Sequence, residues 1–282
     1  MFSKKLSSLF SGSGKAPKAS LPDGQRIYAI GDIHGRCDLF EALMREIEKD
    51  DAAAGSAETL VILLGDLVDR GPDSAGVVRL ARKWSKQRRV RVLMGNHEEM
   101  FVKSFEDKET LRHFLRHGGK DTILSYGVDR KTFNTATIKE AQQIMRDAVS
   151  KKDLAFIDTF EESIRIGSYL FVHAGIDPRR AIGEQRKKDM RWIREPFLSH
   201  KDPFEDGLIV VHGHTIRDEP EERKNRIGID TGAYASGRLT SLVLQGTDRR
   251  FICAVQREDG AIGMEYVPPG SSPLAQVAFA SS

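Results

Sequence analysis

Three stretches of the chain, GDIHG (31–35), GDLVDRG (65–71) and GNHEE (95–99), set carboxylates, imidazoles and an arginine directly behind apolar runs. Two later apolar runs end alike, FVHAG at His173 and VVHGH at His212 and His214. Carboxylate mixed with imidazole suits first-row divalent ions such as manganese, iron or zinc, whereas an oxygen-only set would suit magnesium or calcium. Six or so such residues suffice for two ions. A pair of ions roughly 3.5–4 Å apart, sharing one carboxylate, serves in-line attack on phosphorus by neutralising phosphate charge and lowering the pKa of a bridging water to about 7. Arg70 adds a bidentate clamp for phosphate oxygens, a geometry lysine cannot offer.

The surrounding pattern must bring these residues together. RIYAIGD (26–32), TLVILLGD (59–66) and VRVLMGNHE (90–98) read as buried strands. Between them, DLFEALMREIEKD (38–50) places Leu39, Phe40, Leu43, Met44 and Ile47 on one helical face, and SAGVVRLARKWSKQ (74–87) turns Val77, Val78, Ala81 and Trp84 inward. Asp38 and Glu41 have the spacing of a capping box. Strand and helix alternating at this spacing imply right-handed crossovers and a parallel sheet. The carboxyl ends of such strands line one crevice, so Asp32, His34, Asp66, Asp69, Arg70, Asn96 and His97 should converge there. Residues 99–160 are helical in pattern and read as an insertion, a cap being one form it could take. From 163 onward, short apolar runs punctuated by glycine predict a second sheet packed on the first. The expected architecture is a layered α/β domain over 23–260, two mixed β-sheets flanked by helices with the insertion at about 99–160. A basic tail (1–22) and a C-terminal tail (261–282) flank it.

The chain has 282 residues, 39% of them hydrophobic, which is ample for a large core. Its net charge of +3, from 44 basic and 41 acidic residues, is too small to indicate nucleic-acid binding. The helix carrying Arg79, Arg82, Lys83 and Lys86 lacks interleaved aromatics to stack bases, so it reads as a solvated face. Cys37 and Cys253 form neither a disulfide framework nor a CxxC pattern, which fits a reducing compartment. The first twenty residues carry four lysines, six serines and no acid, without the apolar core of a signal peptide. Phe2, Leu6, Leu9 and Phe10 would share a helical face, making a weak basic membrane-surface anchor the alternative to a soluble tail. The expected location is the cytoplasm, and nothing in the sequence indicates an oligomeric state.

Residue patterns alone leave several roles open. Asn96 could ligate or could cap a helix. His97 could move protons or could orient a ligand. His212 and His214, two apart, would face the same side of a strand. His113, His117 and His200 sit in polar surroundings and read as surface residues.

The ordered set GDxHG, GDxxDRG, GNHE, HxG and GH strongly resembles the metal-dependent serine/threonine phosphoprotein phosphatase family within the calcineurin-like metallophosphoesterases. The resemblance spans about residues 26–245. RHGGKDTILSYG (116–127) and WIREPF look like bacterial members, as does HAG in place of the eukaryotic HGG. The resemblance implies that Asp32, His34 and Asp66 hold one metal and that Asp66, Asn96, His173 and His214 hold the other, with manganese first among the candidate ions and iron or zinc after it. It implies His97 as general acid oriented by Asp69, and Arg70 and Arg194 as phosphate-binding arginines. IDTGAY (229–234) stands where eukaryotic members carry SAPNY, so Tyr234 receives no role, and regulatory subunits of the eukaryotic kind receive none either. The basic stretch 179–194 would steer anionic substrates.

The activity implied is hydrolysis of serine/threonine phosphate monoesters in phosphoproteins or phosphopeptides by a metal-bridging hydroxide. The alternative on the same site is a symmetrical dinucleoside tetraphosphate hydrolase or another small phosphoester hydrolase. A non-catalytic phosphate-binding protein is disfavoured, because a binder needs arginines but no positioned proton donor.

Overall fold

A computed structural model describes residues 19–268. The basic tail to residue 18 with its membrane-surface alternative, and the tail from 269, lie outside the described residues.

The first half follows the predicted alternation: β1 (Gln25–Ile30), α1 (Cys37–Ala53), β2 (Glu58–Leu63), α2 (Ser74–Trp84) and β3 (Val90–Val92). The three strands pair in parallel. Six helices follow: α3 (Asn96–Lys103), α4 (Lys108–Phe114), α5 (Lys120–Ser125), α6 (Arg130–Thr135), α7 (Ile138–Ala148) and α8 (Lys151–Ile157), with a wide turn at Leu115–Gly119 between α4 and α5. β4 (Ser163–Ile166) and β5 (Tyr169–Val172) form a hairpin. After α9 (Lys187–Trp192) come β6 (Ile209–His212), β7 (Glu221–Glu222), β8 (Arg226–Gly228), α10 (Ala233–Ser236), β9 (Arg238–Gln245), β10 (Asp248–Gln256) and β11 (Ile262–Val267).

These strands make two mixed sheets, in the orders β11-β10-β9-β1-β2-β3 and β4-β5-β6-β8-β7. The layered α/β expectation therefore holds, with one difference in membership. Only β4 to β8 build the second sheet, while β9 to β11 return to the first, where β9 pairs antiparallel with β1. The strand Ile262–Val267 also carries the sheet past residue 260, where the sequence suggested a tail. At the other end Leu21 is buried, and its N–H donates to the Gly246 carbonyl, so packing starts before residue 23.

Alternation along the strands assigns the layers. Tyr28 and Ile30 of β1 and Val61 and Leu63 of β2 face α1 and α2, while Ile27, Ala29, Leu60 and Ile62 face the second sheet through Tyr169, Phe171, Val211 and Ile227. The opposite face of the second sheet, with Leu170, Val172 and Val210, is covered by Met190, Ile193, Phe197 and Phe204. Strands buried on both faces are stiff mounts, since each buried Leu- or Phe-sized side chain contributes about 1.5–3 kcal/mol. Phe101, Leu111, Phe114, Ile123 and Met145 from α3, α4, α5 and α7 join the α1–α2 core. The insertion thus extends the helical layer.

The capping box expected at Asp38 is absent. Arg36 occupies the N-cap position of α1, and its guanidinium takes the Asp38 carboxylate at 2.9 and 2.8 Å. A charge-assisted pair wins over a neutral backbone donor. Among the described residues no helix is long and apolar enough to cross a membrane.

Candidate active site

The site is built where parallel strands stop. Asp32 and His34 follow β1, Asp66, Asp69 and Arg70 follow β2, Asn96 and His97 follow β3, His173 follows β5 and His214 follows β6. The turns are tight enough to strain the backbone. Of six non-glycine residues with positive φ among those described, five are here: His34, Asp66, Asp69, Arg70 and His214. Such conformations persist only where the surroundings over-determine them, and they concentrate at functional sites. Two motif glycines are needed for space. A Cβ on Gly95 would lie 2.2 Å from Asp66 Oδ1, and one on Gly213 would lie 2.0 Å from Asp32 Oδ1.

Ligand-type atoms of His34, Asp66 and His97 lie within 4.8 Å of one another, and so do those of Asp66, His173 and His214. Asp66 belongs to both groups. Its Oδ2 is 3.5 Å from His34 Nε2 and its Oδ1 is 3.4 Å from His173 Nε2. The Nδ1–H of His34 donates to the Val68 carbonyl and that of His173 to the Leu64 carbonyl, each at 2.8 Å, which leaves Nε2 as the lone-pair atom in both rings. Asn96 Oδ1 lies 3.0 Å from His173 Nε2, so two acceptors converge beside the Asp66 carboxylate. His214 Nε2 is buried without a hydrogen-bond partner, while its backbone N–H donates to Asp32. Converging lone pairs beside buried carboxylates fit divalent cations.

For two of the imidazoles the electrostatics agree with that fit, whereas for His173 the effect of burial is outweighed by the Asp66 charge, which raises its pKa. Burial pushes the His34 pKa down to about 3 and that of His214 to about 2, so both rings are neutral near pH 7, as metal ligands must be. Burial also raises the Asp32 carboxyl well above its ordinary range, reinforced by the charges of Asp230 and Asp66. Asp66 is buried too, yet the neighbouring His173 and His97 hold it well below the usual carboxylate range.

A second set of groups adjoins the first. His97 Nδ1 is 2.6 Å from Asp69 Oδ2, with both side chains buried. Burial disfavours protonation of His97, but Asp66 and Asp69 together outweigh it and raise its pKa. The Arg70 guanidinium donates to His34 Nε2 at 2.7 Å and to His97 Nε2 at 2.9 Å. Arg194, exposed, donates to the His214 carbonyl at 3.2 Å, which places it at the rim.

Every predicted site residue therefore reaches this crevice, and so do Tyr234, which has no role in the sequence reading, and two residues the motifs did not single out, Asp230 and Glu98. Tyr234 packs its ring 4.9 Å from the Arg70 guanidinium carbon and edge-on to His34. Asp230 is buried close enough to disturb Asp32, and burial lifts its own pKa to about 6. The Glu98 carboxylate accepts the N–H groups of Asp66, Leu67, Val68 and Gly95, and so fastens the β2 turn to the β3 turn. Glu98 lay in plain view inside GNHEE. Its signal was a glutamate three residues after the Gly95 N-cap of α3, where it accepts the Gly95 N–H as the acidic half of a capping box would. Asn96, inside the first turn, turns its side chain to His173.

His212 and His214 do not share a face. β6 ends at His212, and the turn at His214 (φ 62°) swings that ring into the site. His212 instead lies against the Phe197 ring, in an edge contact with centroids 5.0 Å apart.

Comparison with known proteins bears on family and fold. The model of the family described as calcineurin-like phosphoesterase matches residues 25–235. A bis(5'-nucleosyl)-tetraphosphatase PrpE (asymmetrical) of Oceanobacillus iheyensis is 24% identical over 257 residues, covering 83% of this chain and 93% of the relative. Serine/threonine-protein phosphatase 1 of Salmonella typhimurium is 27% identical over 225 residues, covering 78% and 93%. Among solved structures, a cold-active protein-tyrosine phosphatase of a psychrophilic Shewanella superposes with a TM-score of 0.53 at 18% identity, over 88% of this chain and 82% of that one.

Proposed function

The chain belongs to the calcineurin-like phosphoesterase family and is a metal-dependent phosphoesterase; from that premise we propose that it is a phosphoprotein phosphatase acting on serine and threonine phosphate monoesters. In this reading Asp32, His34 and Asp66 hold one divalent ion and Asp66, Asn96, His173 and His214 hold the other, with manganese the first candidate. When bound, the ions supply positive charge against the phosphate and activate water. Arg70 and Arg194 take phosphoryl oxygens, and Tyr234 keeps the Arg70 guanidinium in place through its ring face. The Arg70 guanidinium turns from His97 Nε2 to the phosphoryl oxygens, which frees Nε2 to carry a proton. His97 gives that proton to the ester oxygen as the P–O bond breaks and the oxygen of water takes its place, releasing the alcohol and phosphate. Asp69 keeps the Nδ1–H and stabilises the ring while it is protonated.

The observation that carries this choice of substrate is the buried His97–Asp69 pair at 2.6 Å. A serine or threonine alkoxide is a poor leaving group and departs only with a proton. Phosphate leaving from an anhydride is weakly basic and gains little from one. A positioned donor therefore favours monoesters, and it is superfluous in a protein that only binds phosphate.

The second reading, nucleotide hydrolysis, is favoured by the relatives named asymmetrical bis(5'-nucleosyl)-tetraphosphatases, although the sequence suggests the symmetrical type. Their identity to this chain is comparable to that of the phosphatases. The test is hydrolysis of a phosphoserine peptide and a dinucleoside tetraphosphate side by side, with manganese and with chelator. We expect metal-dependent turnover with kcat/KM at least about tenfold higher on the peptide, equivalent to about 1.4 kcal/mol. Preference for the dinucleotide would move the function to nucleotide hydrolysis. Metal-independent silence on both substrates would restore the binding-protein reading.

A further inference from the structure

We propose that Thr122, on α5 of the helical insertion, is a positioning residue for proton donation by His97, acting through Asp69; the proposal rests on the reading of His97 as the proton donor. Asp69 has its backbone at φ 75° and Arg70 at φ 69°, so two consecutive non-glycine residues sit in the left-handed region. Something must hold them there. The Asp69 N–H is shared between Thr122 Oγ1 at 2.8 Å and Ser74 Oγ at 2.9 Å. The Thr122 hydroxyl spends its one hydrogen on Asp69 Oδ1, at 2.6 Å. The same hydroxyl lies 3.0 Å from Ser74 Oγ. Asp69, Ser74 and Thr122 are all fully buried, so water cannot replace a lost partner.

The division of labour on the Asp69 carboxylate follows. Oδ1 belongs to Thr122 and Oδ2 to His97 Nδ1. One hydroxyl thus fixes both the main chain and the side chain of the group that orients the proton donor. The same insertion holds the next residue: the Gly118 carbonyl accepts the Arg70 N–H at 3.3 Å, and a Cβ on Gly118 would come within 2.7 Å of that nitrogen. Residues 118–122 therefore brace the DRG turn from about fifty positions away, which gives the insertion a part in the chemistry.

A brace that acts through the proton donor leaves a signature that general destabilisation does not. Thr122→Val keeps the shape and removes the hydroxyl. General-acid help is worth about 10²–10⁴-fold, so losing part of its positioning is expected to lower kcat on a phosphoserine peptide by about tenfold or more. With p-nitrophenyl phosphate, whose leaving group needs no proton, the fall should stay within about threefold, as expected when only general-acid help is lost. Thr122→Ser should recover the peptide activity to within about threefold, since the hydroxyl is restored. Metal content and the unfolding midpoint, measured alongside, show whether each variant is folded, and Thr122→Ala replaces Thr122→Val if the latter is not. His97→Ala is the reference. If His97→Ala loses the peptide selectively and Thr122→Val does not, or loses both substrates equally, the positioning role is overturned while the His97 reading stands. If His97→Ala itself loses both substrates equally, the donor reading fails and takes this proposal with it.

Discussion

Replacing Asp66 by alanine is expected to abolish metal-dependent turnover and to lower bound metal in the same step. Asp66 is the one residue common to both ligand groups, with its two oxygens turned to His34 on one side and His173 on the other. Its Oδ1 also accepts the His97 N–H at 3.1 Å, so the alanine variant loses a support of α3 as well as a ligand. Metal contributes several kcal/mol of transition-state stabilisation in sites of this kind, and each 1.4 kcal/mol is tenfold in rate. A loss of at least about 10³-fold in kcat is the expected size. Metal analysis of the purified variant should show substoichiometric ion. Retention of the full complement together with activity would remove Asp66 from the centre of the site.

The second large effect is that of His97→Ala on a phosphoserine peptide. General acids contribute about 10²–10⁴-fold, and His97 has the features of an effective one: it is buried, held at Nδ1 by Asp69, and raised in pKa against the desolvation that opposes it. The expected result is a fall of that size in kcat with KM little changed, because Arg70 and Arg194 still bind the phosphate. An increase in KM at constant kcat would instead place His97 in substrate binding. Asp69→Asn should reproduce much of the loss.

Most of the site was legible because its pattern is local. A Gly-Asp or Gly-Asn behind an apolar strand specifies the mount and the polar side chain it presents within five residues, and three parallel strands then force the turns together. That alone brings Asp32, Asp66, Asn96 and His97 to one crevice, given β1, β2 and β3. The residues that were not legible depend on partners distant in sequence. Thr122 matters through Asp69, fifty-three positions earlier, and Tyr234 through Arg70 and His34, so no window around either residue carries the signal. Spacing alone could not separate His212 from His214 for a different reason: the period-two rule assumes that the strand continues, and β6 ends at His212. The Asp38 box failed because a neighbouring guanidinium outcompeted the backbone for the carboxylate. Sheet membership of β9 to β11 was likewise invisible, since antiparallel pairing with β1 is a choice made across more than two hundred residues. Protein or nucleotide preference was not legible in the motifs as sequence, since relatives of both kinds share this family at about the same identity; the leaving-group argument enters only with the buried 2.6 Å contact between His97 and Asp69.

The most direct test of the dinuclear account is a metal titration of the full chain. After chelation, manganese is returned in known increments while bound metal per chain and phosphoserine-peptide hydrolysis are followed together. The account predicts that activity rises as ions bind and saturates at two ions per chain. Full activity at one ion per chain, or turnover that persists with none bound, would contradict it.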